Sequence, residues 1–129
     1  MARILVIDDE ADVRTTIGLA LEKIGHTVEE AADGNQGLKR FAEERFDLVI
    51  TDILMPEKEG IETIRELRAA HPDLRIIAIS GGGRLNSTNF LEMVRKLGAD
   101  EVLKKPFTLA QLRHVVETCL GRTDPARCA

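Results

Sequence analysis

Apolar residues along the chain follow two alternating rhythms. Short, nearly continuous runs predict strands at Arg3–Ile7, Thr27–Ala31, Asp47–Thr51, Arg75–Ile79 and Glu101–Leu103. Several carry almost no polar residue, as do strands buried on both faces of a parallel sheet. Between the runs the spacing changes to threes and fours, the helical period. Val13, Ile17, Ala20, Leu21 and Ile24 form one stripe that ends at Gly25, and Leu38, Phe41 and Ala42 form a second. Ile61, Ile64 and Leu67 form a third, which stops before Pro72. Phe90, Leu91, Val94 and Leu97 form a fourth, closed by Gly98; Leu109, Leu112, Val116 and Cys119 form a fifth, closed by Gly121. The order predicts five βα units. Right-handed crossovers then give a doubly wound α/β fold, a five-stranded parallel sheet with helices on both faces. No internal repeat or low-complexity stretch interrupts the pattern. One domain is expected over residues 1–121, with a frayed tail over 122–129, where the apolar period is lost.

Composition narrows this picture. A chain of 129 residues, 43% hydrophobic and 31% charged, suits one domain with one core. A net charge of −4 gives no electrostatic footprint for nucleic acid or an anionic membrane. No apolar run approaches the roughly 20 residues of a membrane span. The opening apolar run is cut short by Asp8 and Asp9, so it does not read as a signal peptide. A cytoplasmic protein is expected, with Cys119 and Cys128 as reduced thiols. His26, His71 and His114 lack triad neighbours and read as ordinary histidines.

The candidate chemistry lies where the strands end. The first runs into Asp8-Asp9 and then Glu10, the third into Asp52, the fourth into Ser80, and the fifth into Lys104-Lys105-Pro106. In an open parallel sheet these carboxyl ends share one edge, where ligands bind. Carboxylates, a hydroxyl and an ammonium therefore converge from distant parts of the chain. Two carboxylates about 4 Å apart repel by roughly 4 kcal/mol at an effective dielectric near 20. A cluster of three calls for protons or a cation, and oxygen-only ligands suit Mg²⁺. A carboxylate held beside a hard cation and a lysine is arranged to receive a phosphoryl group. The first turn has no G-x-G-x-x-G, and no Walker-type loop occurs, so nucleotide binding is not expected.

The stretches "ILVIDDE", "DLVITDILMPEKEG", "IIAISGG" and "GADEVLKKPF", in this order, resemble the receiver domain of two-component response regulators, of the chemotaxis-type single-domain kind. The resemblance covers about Arg3 to Leu120 and implies a flavodoxin-like (βα)5 fold with strand order 2-1-3-4-5. It implies that Asp52 is the phosphoacceptor. Asp9 then binds Mg²⁺ directly, Asp8 acts through a coordinated water, and the Leu54 carbonyl supplies another ligand. Ser80 hydrogen-bonds the transferred phosphoryl group, and Gly81 leaves room for it. Lys105, immediately before Pro106, pairs with the phosphoryl group across a cis Lys105–Pro106 peptide, while Lys104 is solvated. Gly60 makes the tight turn before the third helix. The phosphodonor is a histidine kinase or histidine phosphotransfer protein, docking near Asp12, Val13, Thr16 and Phe107. A monomer or weak dimer is implied.

The sequence departs from the family where an aromatic residue usually precedes the lysine by three positions. Val102 stands there, and the chain has no Tyr. Either the switch is read through the Ser80 loop and the fourth helix, or phosphate is passed on without a large output change; structurally, Val102 completes its strand. Apolar Leu54 would shield the acyl phosphate from water. Gly81-Gly82-Gly83 is either a mobile switch loop or a long connection. With the chain ending at Ala129, the expectation is a stand-alone receiver that signals to a protein partner or relays the phosphate. It would not be an enzyme beyond assisting its own phosphorylation and dephosphorylation. The alternatives are a scaffold independent of phosphorylation and a phosphatase with an aspartyl nucleophile; Leu54 replaces the second Asp such a phosphatase needs.

Overall fold

The alternating pattern becomes β1 (Arg3–Ile7), α1 (Ala11–Lys23), β2 (Thr27–Ala31), α2 (Gly34–Glu43), β3 (Leu48–Asp52), α3 (Glu59–Ala70), β4 (Arg75–Ser80), β5 (Glu101–Lys104) and a C-terminal helix (Leu109–Gly121). This computed structural model describes residues 2–52, 59–80, 96, 98–105 and 107–121. The helix expected over Phe90–Leu97 and the tail 122–129 lie outside the described residues. So do Leu54, Gly81–Gly83 and Pro106, together with the surroundings of Gly60 and the side chain of Ser80. Among the described residues no helix is long and apolar enough to cross a membrane.

All five strands are parallel, in the order β2-β1-β3-β4-β5. Side chains alternate across a strand, and the three central strands use both faces. Leu5, Ile7, Val49, Ile76 and Ala78 join one core layer with Phe46, Ile64 and Leu67. Ile4, Val6, Leu48, Ile50, Ile77 and Ile79 join the other with Ile17, Leu21, Leu112, Val116 and Cys119. Thus α2 and α3 cover one face, and α1 and the C-terminal helix cover the other. This explains why the central strands read as unbroken apolar runs, whereas edge strand β2 tolerates Glu29 and Glu30.

Local signals fix the helix ends. At the close of α1, Gly25 adopts φ 101°, its N–H donates to the Glu22 carbonyl (3.0 Å), and His26 donates to Leu21 (3.2 Å). This is a Schellman closure, which needs a residue tolerant of positive φ. Asp33 caps α2 by accepting from the Gln36 amide at 2.8 Å. Thr108 and Gln111 form a reciprocal capping box at the C-terminal helix, with bonds of 3.0 and 2.9 Å. That box sets where the chain enters the helix just after Lys105. Gly37 lets α2 settle on the sheet: a Cβ there would lie 2.4 Å from Cδ1 of Ile7.

Candidate functional site

The strand carboxyl ends share one rim, and the backbone there is held by the sheet. The Asp8 amide donates to the Ala31 carbonyl at 3.1 Å, extending the ladder one residue past β1. Asp52 is the last residue of β3, in register with Ile79 of β4. Lys105 follows β5 directly. Strands therefore aim Asp8 and Asp52, which are 0% and 3% exposed, while Asp9 and Glu10 stay open to solvent.

Lys105 Nζ lies 2.9 Å from Asp52 Oδ2, 3.7 Å from Asp8 Oδ2 and 3.8 Å from Glu10 Oε1. One carboxylate oxygen from each of Asp8, Asp9, Glu10 and Asp52 lies within 4.8 Å of the others. Among the described residues, three of these carboxylates thus lie within 4 Å of the Lys105 ammonium, and that of Asp9 completes the cluster. Asp8 Oδ1 accepts the Glu10 amide at 2.8 Å, but among the described residues its buried Oδ2 has no hydrogen-bond partner. Burial foremost, with the charges of Asp52 and Asp9, pushes the Asp8 carboxyl up to about 6, against the Glu10 amide and Lys105. For Lys105 burial acts downward, but the hydrogen bond and charge of Asp52, backed by Asp8 and Glu10, outweigh it. Its pKa is raised, so it is an ammonium at neutral pH.

The donor set suits a hard divalent cation. It is all oxygen, lies within one ion's reach, is open to water on one side, and contains a buried carboxylate oxygen without a donor. A cation there would relieve both the repulsion and the unsatisfied Asp8 oxygen.

Of the residues singled out from the sequence, the fold brings together Asp8, Asp9, Asp52 and Lys105. Lys104 is exposed on β5, in register with Ser80. Asp12 and Thr16 are exposed on α1, and Val13 and Phe107 are half-buried against the same core layer. Val102 packs against the opposite layer, beside Ala78. Ser80 ends β4. The three histidines lie elsewhere: His26 accepts from the Ala2 amide at 3.3 Å, His71 stacks on Phe41, and His114 is exposed on the C-terminal helix.

Two residues to which the resemblance gives no role also reach the site. Glu10 occupies the N-cap of α1 without a side-chain capping bond, which leaves its carboxylate for the cluster. Its place directly after the Asp pair was the available signal. Arg14 donates from Nη1 to the Asp8 carbonyl at 2.6 Å. Only its position one turn beyond Glu10 hinted at that.

The response regulator receiver domain model matches residues 4–117. Response regulator MprA of Mycolicibacterium vanbaalenii is 38% identical over 125 residues, which span 95% of this chain and 52% of that protein. The DNA-binding transcriptional regulator NtrC of Azospirillum brasilense is 36% identical over 124 residues, 96% of this chain and 25% of that one. The chain thus spans about half or less of the length of these relatives. Among solved structures, a response regulator receiver domain protein from Clostridium thermocellum superimposes with a TM-score of 0.86 at 34% identity, covering 95% of this chain and 97% of that one. With the matched family model extending from β1 into the C-terminal helix, and the same fold in that relative, the chain belongs to the receiver domain family of two-component response regulators.

Proposed function

We propose that Asp52 accepts a phosphoryl group from the phosphohistidine of a histidine kinase or a histidine phosphotransfer protein. One observation carries this reading: the Lys105 ammonium lies 2.9 Å from an oxygen of the strand-held Asp52, inside a cluster of carboxylates. An Asp52 oxygen attacks phosphorus opposite the donor imidazole. The P–O bond forms as the P–N bond breaks, and the electron pair leaves with the imidazole, which takes a proton from solvent. Lys105 offsets negative charge on the transferring oxygens, and its raised pKa keeps it protonated for that task. Asp8, Asp9 and Asp52, with the Leu54 carbonyl, are the proposed holders of Mg²⁺, which when bound supplies the remaining neutralising charge.

Ser80 is the proposed hydrogen-bond donor to the acquired phosphoryl group, with Gly81 leaving it space and Pro106 shaping the Lys105 turn. The exposure of Asp12 and Thr16, and the shared packing layer of Val13 and Phe107, support a donor-docking face there. Val102, half-buried and aliphatic, supports a switch read through the segment after β4 instead of through a ring at 102. The phosphorylated surface then engages a protein partner or passes the phosphate on, and the domain turns over no other substrate.

The test is incubation with acetyl phosphate and Mg²⁺, followed by intact-mass measurement of the protein and of Asp52→Asn. A phosphoryl adduct confined to the parent is expected. An unmodified parent, or an adduct that persists in the variant, would overturn the assignment.

A further inference from the structure

Asp9 reaches the acidic cluster without help from its own contacts. Among the described residues its exposed side chain makes no hydrogen bond or ion pair, yet its carboxylate lies within 4.8 Å of those of Asp8, Glu10 and Asp52. Its aim is therefore set by the backbone that delivers it. That backbone is restrained at the Asp8 peptide. The Asp8 amide is held by the Ala31 carbonyl, and the Asp8 carbonyl by Arg14 Nη1 at 2.6 Å. This carbonyl belongs to the same peptide plane as the Asp9 nitrogen, so fixing its direction fixes how Asp9 leaves β1.

Arg14 is itself anchored. Its Nε donates to Glu30 Oε1 of β2 at 3.3 Å, and the Arg14 side chain is only 17% exposed. The ion pair alone does little for stability, because Glu30 is 44% exposed and such pairs contribute weakly. Its consequence falls on the peptide between the two aspartates. We infer that Arg14, tethered by Glu30, is a positioning residue that orients the Asp8–Asp9 pair for the cation. This rests on the phosphoacceptor reading above.

Three variants test it: Arg14→Met, which keeps an apolar stem of similar length; Arg14→Lys, which keeps the charge and one donor; and Glu30→Gln, which keeps an acceptor. The first readout is the rise in melting temperature as Mg²⁺ is titrated into metal-free protein, which reports binding without any phosphodonor. The second is the Mg²⁺ dependence of phosphorylation by acetyl phosphate. Outer partners of metal ligands typically change affinity by 10–100-fold, so Arg14→Met should raise the half-saturating Mg²⁺ about tenfold in both. Each variant's Mg²⁺ response is read against its own metal-free melting temperature, so a general loss of stability does not mimic the shift. Arg14→Lys should recover most of the loss, and Glu30→Gln should show a smaller shift of about two- to threefold. A parent-like half-saturation in Arg14→Met overturns the inference. So does a lower metal-free melting temperature with unchanged half-saturation, which would mark a purely structural contact. If Arg14→Met does not fold, Glu30→Gln decides, and a parent-like value overturns the inference. A parent with neither a Mg²⁺ response nor an adduct would instead overturn the phosphoacceptor reading.

Discussion

Replacing Asp8 by asparagine should stabilise the metal-free protein at pH 8 while removing most of its response to Mg²⁺. The folded state holds the Asp8 carboxyl near 6 instead of its ordinary 3.8, chiefly through burial. At pH 8 that displacement costs the ionised form about 3 kcal/mol relative to the unfolded chain. Asparagine is neutral and close in shape, and its carbonyl can keep the 2.8 Å bond from the Glu10 amide. Against this, its amide group would occupy the Oδ2 position, which has no hydrogen-bond partner among the described residues and lies 3.7 Å from Lys105 Nζ. An unsatisfied buried donor costs about 1–2 kcal/mol. The net gain should be about 1–2 kcal/mol, or roughly 3–8 °C in melting temperature for a domain of this size.

The pH dependence has a definite sign. A carboxyl raised in the folded state binds more protons there than in the unfolded chain between about pH 4 and 6. The parent therefore loses stability through that window as pH rises, and Asp8→Asn does not lose that share. By the same reasoning the variant should be the less stable of the two near pH 4, by about 1–2 kcal/mol, and the more stable above pH 7. With no Trp or Tyr in the chain, urea or thermal unfolding is best followed by far-ultraviolet circular dichroism. In Mg²⁺ at a hundred times its Kd the parent should gain about 2.7 kcal/mol, and the variant far less. A variant no more stable than the parent in EDTA at pH 8, or an equal Mg²⁺ gain in both, would refute the reasoning.

Lys105→Met removes the ammonium that lies within 4 Å of the Asp8, Glu10 and Asp52 carboxylates; it should slow acetyl phosphate labelling about 100-fold, as read by intact mass over time. Gly37→Val should cost about 2–3 kcal/mol in urea unfolding, because even a Cβ there meets Ile7 at 2.4 and 2.9 Å in a filled core; unchanged stability would show that α2 can lift off β1 freely. Gly98 has φ 128°, and a Cβ there would lie 3.0 Å from the Arg68 side chain, which bonds the Gly98 carbonyl and Asp100. Gly98→Ala should therefore lower stability by about 1–3 kcal/mol without changing the Mg²⁺ increment.

The order of residues was enough to specify the layered α/β fold and the rim on which the chemistry sits. Both follow from burial and periodicity. Central strands covered on two faces must be apolar at every position, so Ile4–Ile7 and Leu48–Ile50 stand out, and a parallel sheet puts all their carboxyl ends together. Even so, β3 includes Asp52, β4 includes Ser80 and β5 includes Lys104, each one residue further than the apolar pattern reaches. Ladder hydrogen bonds do not depend on hydrophobicity, so they carry the strands into the polar site residues.

How that rim is wired depends on packing in three dimensions. The burial of Asp8, and with it the raised pKa, depends on what covers the end of β1, which no neighbouring residue in the chain reports. Glu10 could be read only as a further acid where the first strand ends, and its turn toward Lys105 depends on the backbone path at the N-cap. The bond from Arg14 to the Asp8 carbonyl joins a side chain to a main-chain group, and every residue carries such a carbonyl. Side-chain type therefore announces which layer a residue joins, whereas the direction of a peptide carbonyl exists only once β1, α1 and β2 have packed together.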